Sequence, residues 1–408
     1  MLAWITRTIA LAACLGFAGC SIPGEDRSTS EPVLLVANSA GAAALFPILD
    51  AEARPADNVF FSPLSIDHAF GIVALGARGE TAAQLAQVLP PPERPRAYTH
   101  SGEGVELRLA NKLWVDQQFS LSNAFETAAR GRYASAIDAI DKTDPPGSSR
   151  VINAWASEAT DGLIPEVVSP DEITDDLALF VTNAILFDGD WAQVFEDVQE
   201  KPFLFGSGAD EPFLFMQERL TVSTVDRGEW RAVRLPYRDD RYAMDIIMPA
   251  KREVMRSTPA LSEIAQLGNA LDVAEPELVD MELPRFEIDT DMNLIPPLQA
   301  LGLTLPFDRD NADLSGIGES GARNLYVGDA KQLAKLQVFD TGTRAAAVTV
   351  VTIRLSSAPP PDRRLAVSFL VDRPFLVALR DLETGTMLFL GRIADPQPYT
   401  PEEVEPPN

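Results

Sequence analysis

Cysteine is almost absent from this chain of 408 residues. Its only two cysteines, Cys14 and Cys20, stand at the extreme N-terminus. The rest of the chain can therefore form no disulfide and no thiolate metal site. Its fold must be stabilised by packing and hydrogen bonding alone.

Histidine is equally scarce, because His68 and His100 are the only two. They leave little material for a histidine metal cluster or for a Ser-His-Asp triad. The sequence also has no G-x-S-x-G elbow, no H-E-x-x-H helix motif and no G-x-x-x-x-G-K-[ST] loop. We therefore expect a protein that is not an enzyme and needs no metal or cofactor.

Positive charge is in short supply. The chain has 34 lysines and arginines against 60 aspartates and glutamates, a formal net charge of −26. Such a chain repels phosphate backbones and sulfated polysaccharides. Nucleic acid and heparin are not expected partners.

The apolar run near the N-terminus is too short to span a membrane. Arg7 precedes apolar residues 9–17, whereas a spanning helix needs about 18 or more. This layout predicts an export signal over residues 1–19. The string AGC at 18–20 resembles the signal of bacterial lipoproteins, in which the cysteine is acylated and becomes the first residue of the mature chain.

That resemblance implies a lipid on Cys20, a polar tether over residues 20–31 and an anchored protein of the bacterial cell envelope. Ser21 after the cysteine implies sorting to the outer membrane. Two alternatives stay open. The string LAAC ending at Cys14 is a second match, although it leaves a very short apolar core after Arg7. A plain secretory signal would make the protein secreted.

Residues 32–396 read as one large domain, with a disordered tail at 397–408. Helical spacing and cap residues predict helices at 32–53, 62–75 and 79–89. Runs rich in β-branched and apolar residues predict strands at 105–115, 177–186, 231–235, 243–248, 279–288, 333–338, 366–379 and 387–393. Helices followed mostly by strands indicate an α+β fold with mixed, largely antiparallel sheets.

Short strings along the whole body occur in a characteristic order. They are NVFFSPLSI at 58–66, LGARGET at 75–81, TNAILF at 182–187, GDW at 189–191, LPY at 235–237, LPRF at 283–286, LQALGL at 298–303, FD at 307–308, ADLSGI at 312–317, DRPFL at 372–376 and FLGRI at 389–393. Together they resemble the serpin family over roughly residues 35–396. The resemblance implies the serpin fold, a monomer with about nine helices and an exposed reactive-centre loop at about 340–362.

The string DTGTRAAAVTVVTIRLSS at 340–357 lies where serpins carry that loop. As an inserted strand with a period of two, it would present one uncharged face of small or β-branched residues: Thr343, Ala345, Ala347, Thr349, Val351 and Ile353. Arg344 and Arg354 fall on the other face with Ala346, and a slip of one residue would bury both arginines. An ordinary buried strand of a static fold is the simpler alternative.

The resemblance implies a suicide-substrate inhibitor of serine proteases. A protease cleaves the loop, forms an acyl-enzyme and is trapped when the loop inserts into the central sheet. The expected hinge comprises Asp340, Gly342, Thr343, Ala345, Ala346 and Ala347. The scissile bond is Leu355-Ser356 or Ser356-Ser357. Leu355 favours chymotrypsin-like, elastase-like or subtilisin-like proteases.

The resemblance also places a sheet-opening region at Ser62, Ser65, Asn183, Gln332 and Trp191, with Gln332 where the family usually has histidine. A salt bridge from Arg285 to Asp340 is expected at the loop base. Simpler roles stay open: helix capping for the serines, a turn for Asn183, core packing for Trp191 and a surface charge for Asp340. Two other functions also remain, a serpin-fold binding protein that never inserts its loop and an inhibitor of cysteine proteases.

Overall fold

A computed structural model describes residues 41–91, 100–134, 136–174, 179–319, 325–344 and 365–399 of the chain. Two of the predicted helices begin and end close to the expected positions. The Ser62 side chain caps the first of them by accepting a hydrogen bond from the Ser65 backbone, and Pro63 occupies the first turn. The second begins at Gly79 and ends before the prolines that follow Leu89.

The N-terminal helix differs from the prediction at 32–53. Its described part is a 3₁₀ turn, Ala42–Leu45, followed by the short helix Phe46–Glu52. Pro47 explains the interruption, because it has no backbone N–H to donate into the preceding turn and is tolerated only at a helix start.

The described residues contain seven α-helices, against about nine predicted. They are α1 (Phe46–Glu52), α2 (Pro63–Gly76), α3 (Gly79–Val88), α4 (Asn123–Tyr133), α5 (Pro145–Ala159), α6 (Leu261–Val273) and α7 (Ile295–Ala300). None of these helices is long and apolar enough to cross a membrane.

Eighteen strands are described. They are β1 (Val59–Phe61), β2 (His100–Gly102), β3 (Val105–Asp116), β4 (Ala136–Ile140), β5 (Leu179–Asp190), β6 (Asp197–Leu204), β7 (Asp210–Val222), β8 (Thr224–Arg227), β9 (Trp230–Pro236), β10 (Tyr242–Pro249), β11 (Glu277–Pro284), β12 (Phe286–Asn293), β13 (Asp329–Phe339), β14 (Gly342–Arg344), β15 (Val367–Leu370), β16 (Phe375–Asp381), β17 (Met387–Ile393) and β18 (Gln397–Pro398).

These strands form three sheets, as expected for a mixed α+β fold. The large sheet has the order β18-β12-β13-β14-β5-β3-β2, with β4 beside β3. A six-stranded sheet has the order β1-β17-β16-β10-β9-β8, and a four-stranded sheet has the order β15-β11-β7-β6. One apolar core lies among the helices, the six-stranded sheet and the part of the large sheet that contains Leu113, Leu179 and Ala330. A second lies where the three sheets face one another.

Two predicted strands are each split into two strands of different sheets. The run 279–288 becomes β11 and β12, divided at Arg285, and the run 366–379 becomes β15 and β16. A proline stands at each crossing, Pro284 and Pro374. Proline cannot donate a ladder hydrogen bond, so it suits the point where a chain leaves one sheet for another.

The C-terminal tail also differs from the prediction. We expect disorder from residue 397, but Gln397–Pro398 pairs with β12 at the edge of the large sheet. The remaining tail residues, 400–408, lie outside the described part.

Candidate functional site

The chain that leaves β13 turns back at once into the large sheet. β14 pairs antiparallel with β13 on one side, where Gly342 faces Phe339, and antiparallel with β5 on the other, where Gly342 faces Asp190. The start of the predicted loop is therefore already a strand of the sheet. We call residues 340–344, the turn and β14, the hinge.

Thr343 points into the molecule. Its side chain is fully buried, and its hydroxyl accepts a hydrogen bond of 2.8 Å from Tyr237. Burial raises the pKa of Tyr237 far above its usual range, so the phenol keeps the proton that it donates. The orientation of Thr343 agrees with the inward face predicted by the alternation.

Gly342 is required by a close approach of two backbones. A Cβ at this position would lie 2.3 Å from the carbonyl oxygen of Gly189 in β5. Any other residue would push β14 away from β5.

Trp191 lies directly beneath the hinge. Its ring stacks on Tyr237, with centroids 4.7 Å apart, and its Nε1 donates to the Phe339 carbonyl at 2.9 Å. Its backbone N–H donates to Thr341, and the Phe195 N–H donates to Asp340. Trp191 is thus a buried platform with direct bonds to the turn, beyond simple core packing.

The outer side of the turn is held by an ion pair. A guanidinium nitrogen of Arg285, the residue between β11 and β12, donates to the carboxylate of Asp340. The structure brings together the two residues expected at the loop base. Because this pair is partly exposed, its contribution to stability is about 1 kcal/mol or less.

A buried polar cluster lies in the same sheet, away from the hinge, and we call it the latch. Its members are Ser62, Ser65, Asn111, Asn183 and Gln332, which are all buried.

Asn183 is the centre of the latch. It accepts from the Ser65 hydroxyl and from Gln332 Nε2, and it donates to the Ser65 carbonyl and to Asn111 Oδ1. It lies in the middle of β5, so the alternative of a turn at this residue is wrong.

Gln332 and Ser62 complete the latch. Gln332 accepts from the Ser62 N–H at 2.9 Å and donates to the Ser62 carbonyl at 3.1 Å. Ser62 both caps α2 and donates to the Leu388 carbonyl of the six-stranded sheet at 2.6 Å. The latch therefore ties β5, β13 and α2 to one another. Gln332 does so with a side chain that has no proton to lose near neutral pH.

Along both strands, the parallel pairing of β13 with β5 ends at the latch. Those strands pair at four positions, from Asp329 with Phe180 to Gln332 with Asn183. At the end of the hinge, Arg344 pairs with Gln337 of β13 and with Asp188 of β5. Four residues of each strand separate this pairing from the pairing of Gln332 with Asn183. They are 333–336 in β13 and 184–187 in β5.

Two residues of the site, Tyr237 and Asn111, are not predicted from the sequence. Tyr237 occurs in a quoted string, but nothing local indicates that its hydroxyl reaches Thr343. The sequence does contain an indication of Asn111, because this amide stands in a strand whose neighbouring inward positions are apolar. The structure shows that the amide is buried. A buried amide needs a partner, which is Asn183 on the paired strand.

The remaining predicted site residues lie outside the described part of the chain. They are Ala345, Ala346 and Ala347, which the sequence analysis expected in the hinge, Leu355, Ser356 and Ser357 at the reactive bond, and Cys20. The described residues hold no group of three or more possible metal ligands.

Comparison with known proteins gives consistent matches over nearly the whole body. Residues 36–396 match the family model described as serpin, serine protease inhibitor. Iripin-8 of Ixodes ricinus is 32% identical over 370 residues, covering 82% of this chain and 87% of the relative. Antithrombin-III of Mus musculus is 29% identical over 361 residues, covering 83% and 77%. The structure of native protease nexin-1 with heparin has a TM-score of 0.72 and 25% identity, covering 85% and 94%.

Proposed function

The chain belongs to the serpin family, and on that premise we propose that it is a suicide-substrate inhibitor of serine endopeptidases that traps its target by inserting the cleaved loop into the large sheet. The observation that carries the proposal is the hinge. Three residues of the loop segment already occupy the strand position between β13 and β5, with Thr343 facing inward.

If the antiparallel pairing of the hinge continues on insertion, it sets the register of the rest of the loop. Ala345 would then lie between Leu336 and Phe187, and Ala347 between Ala334 and Ile185. Both alanines would share the inward face of Thr343, because side chains alternate along a strand. Small side chains can enter there without displacing the apolar neighbours.

The same register makes the latch the barrier to insertion. Residues 345–348 would pair beside the four intervening positions of each strand, and Thr349 would then meet Gln332 and Asn183. Further insertion requires the four parallel pairs of β13 and β5 to separate. In exchange, the new strand forms backbone hydrogen bonds with both of its neighbours, β13 and β5. The uncleaved loop is tied at both ends and completes this exchange only slowly, which makes the intact form a kinetic trap.

The chemistry belongs to the protease. Its serine hydroxyl attacks the carbonyl carbon at the reactive bond, the peptide bond breaks, and the segment on the C-terminal side leaves with a free amine. The N-terminal part of the loop stays esterified to the protease. Inhibition results when insertion is faster than hydrolysis of that ester by water.

Leu355 sets the preferred class of target. Cleavage at Leu355-Ser356 suits chymotrypsin-like, elastase-like and subtilisin-like pockets, whereas cleavage at Ser356-Ser357 requires a pocket for a small polar residue. Arg354 would attract a trypsin-like protease only if the loop were one residue shorter still.

We expect elastase, chymotrypsin or subtilisin to form a covalent complex with the chain that survives boiling in SDS. Mass spectrometry of the released C-terminal peptide identifies the scissile bond, and trypsin serves as the protease of different specificity. Cleavage of the loop by all four enzymes without a covalent complex would refute inhibition and favour the serpin-fold binding protein.

We also propose that the protein is anchored in the bacterial envelope through a lipid on Cys20. The support is the resemblance of AGC at 18–20 to lipoprotein signals. A Cys20→Ser variant should lose its acyl mass and leave the membrane fraction. A variant that stays with the membrane would contradict the anchor.

A further inference from the structure

The chain after β17 crosses from the six-stranded sheet to the edge of the large sheet, and Asn58 fixes the crossing. Its side-chain oxygen accepts from the backbone N–H groups of Ala394 and Asp395, each at 2.8 Å. Its amide donates to the Asp395 carbonyl at 2.7 Å. Three hydrogen bonds from one side chain make this a defined turn that directs the following residues.

The residues after the turn reach the hinge end of the large sheet. Pro398 pairs with Phe286, and Gln397 pairs with Glu287, at the start of β12. The next residue, Tyr399, donates its backbone N–H to the Arg285 carbonyl at 3.4 Å. We call Gln397–Tyr399 the strap.

Tyr399 contacts two of the residues that hold the hinge turn, Phe339 and Arg285. Its ring lies 5.7 Å from the ring of Phe339, at an interplanar angle of 48°. Phe339 pairs with Gly342 and accepts from Trp191, while Arg285 pairs with Asp340. The strap therefore braces the two ends of the turn from outside, whereas Trp191 supports it from within.

We propose that the strap is a positioning segment that keeps the hinge in the sheet before cleavage, and that Tyr399 is its principal residue. The kinetic consequence rests on the proposed inhibitory function. Placing the first residues of a new strand is the slow part of its growth, because several dihedral angles are fixed before many hydrogen bonds form. A hinge already in place lets the cleaved loop insert without that delay.

The direct test is hydrogen exchange at the hinge of the full chain, without any protease. Loss of an aromatic contact of this kind weakens local structure enough to raise the exchange rate of the Thr343 and Arg344 amides about fivefold. We expect this increase in Tyr399→Ala and not in Tyr399→Phe, which keeps the ring. Exchange in β16 reports whether the variant has kept its fold.

The second readout is the number of inhibitor molecules consumed for each protease molecule trapped. We expect it to rise about fivefold in Tyr399→Ala, because slower insertion lets more acyl-enzyme hydrolyse, and to be restored in Tyr399→Phe. Unchanged hinge exchange in Tyr399→Ala would overturn the proposal, as would equal exchange in both variants. If the wild-type chain traps no protease, the inhibitory function fails, but the exchange result still decides the role of the strap.

Discussion

Replacing Ala347 with arginine should convert the chain from an inhibitor into a substrate. Thr343 is fully buried in the sheet, and Ala347 follows it by four residues on the same face. Insertion would place the new guanidinium in the apolar core between Ala334 and Ile185, where an unpaired charge costs several kcal/mol. We expect the yield of covalent complex to fall by about a hundredfold or more, with the loop still cleaved.

Ala346→Arg is the matched control. It adds the same side chain one residue earlier, on the outward face that Arg344 and Arg354 share in the predicted alternation. This variant should keep near-normal complex yield. If Ala347→Arg still inhibits as well as Ala346→Arg, the loop either fails to insert or inserts in another register.

Removing the centre of the latch should shorten the life of the active form. In Asn183→Ala, the Ser65 hydroxyl, Asn111 Oδ1 and Gln332 Nε2 each lose a buried partner. Each such loss costs about 1–3 kcal/mol. The loss of the Gln332 bond falls on the closed sheet, because insertion past Val348 separates Asn183 from Gln332 in any case, whereas the bond to Asn111 joins β5 to β3 and is lost from both forms. We expect inhibitory activity on incubation to decay about tenfold faster than in the wild type.

The Asn153→Ala variant separates a latch from a general loss of hydrogen bonds. Asn153 in α5 also makes several, accepting from the Val167 and Val168 N–H groups and donating to the Val168 carbonyl. None of them crosses between β5 and β13. Its variant should lose stability without an accelerated loss of activity. Equal decay of activity in the two variants would remove the special role of the latch.

Much of this site could be predicted from short strings of sequence. Ser62 and Ser65 lie in one string of the family pattern and Asn183 in another, whereas Gln332 was matched to the family only by its place between two strings. The structure brings these four residues within hydrogen-bonding distance. The inward position of Thr343 followed from a local rule, the alternation of side chains along a strand. The pair of Arg285 with Asp340 depended on the family pattern alone.

The rest depended on tertiary contacts that leave little local trace. The splits at Pro284 and Pro374 are not predicted from the sequence, because only short charged stretches, Arg285 and Asp372-Arg373, interrupt the apolar runs there. Tyr399 lies in a segment rich in proline and glutamate, whose composition is typical of disorder. Only its position beside Phe339 gives it a role. The resting insertion of the hinge depends on the balance between the intact loop and the sheet, which no local pattern records.

Thermal unfolding of the intact chain and of the chain cleaved within residues 345–357 tests the mechanism most directly. If the loop is a spare strand held back by its uncut connection, cleavage lets it pair with β5 and β13 along their length. The midpoint of unfolding should then rise by about 10 °C or more. A cleaved chain that melts at the same temperature as the intact one, or below it, would contradict insertion and the proposed inhibition with it.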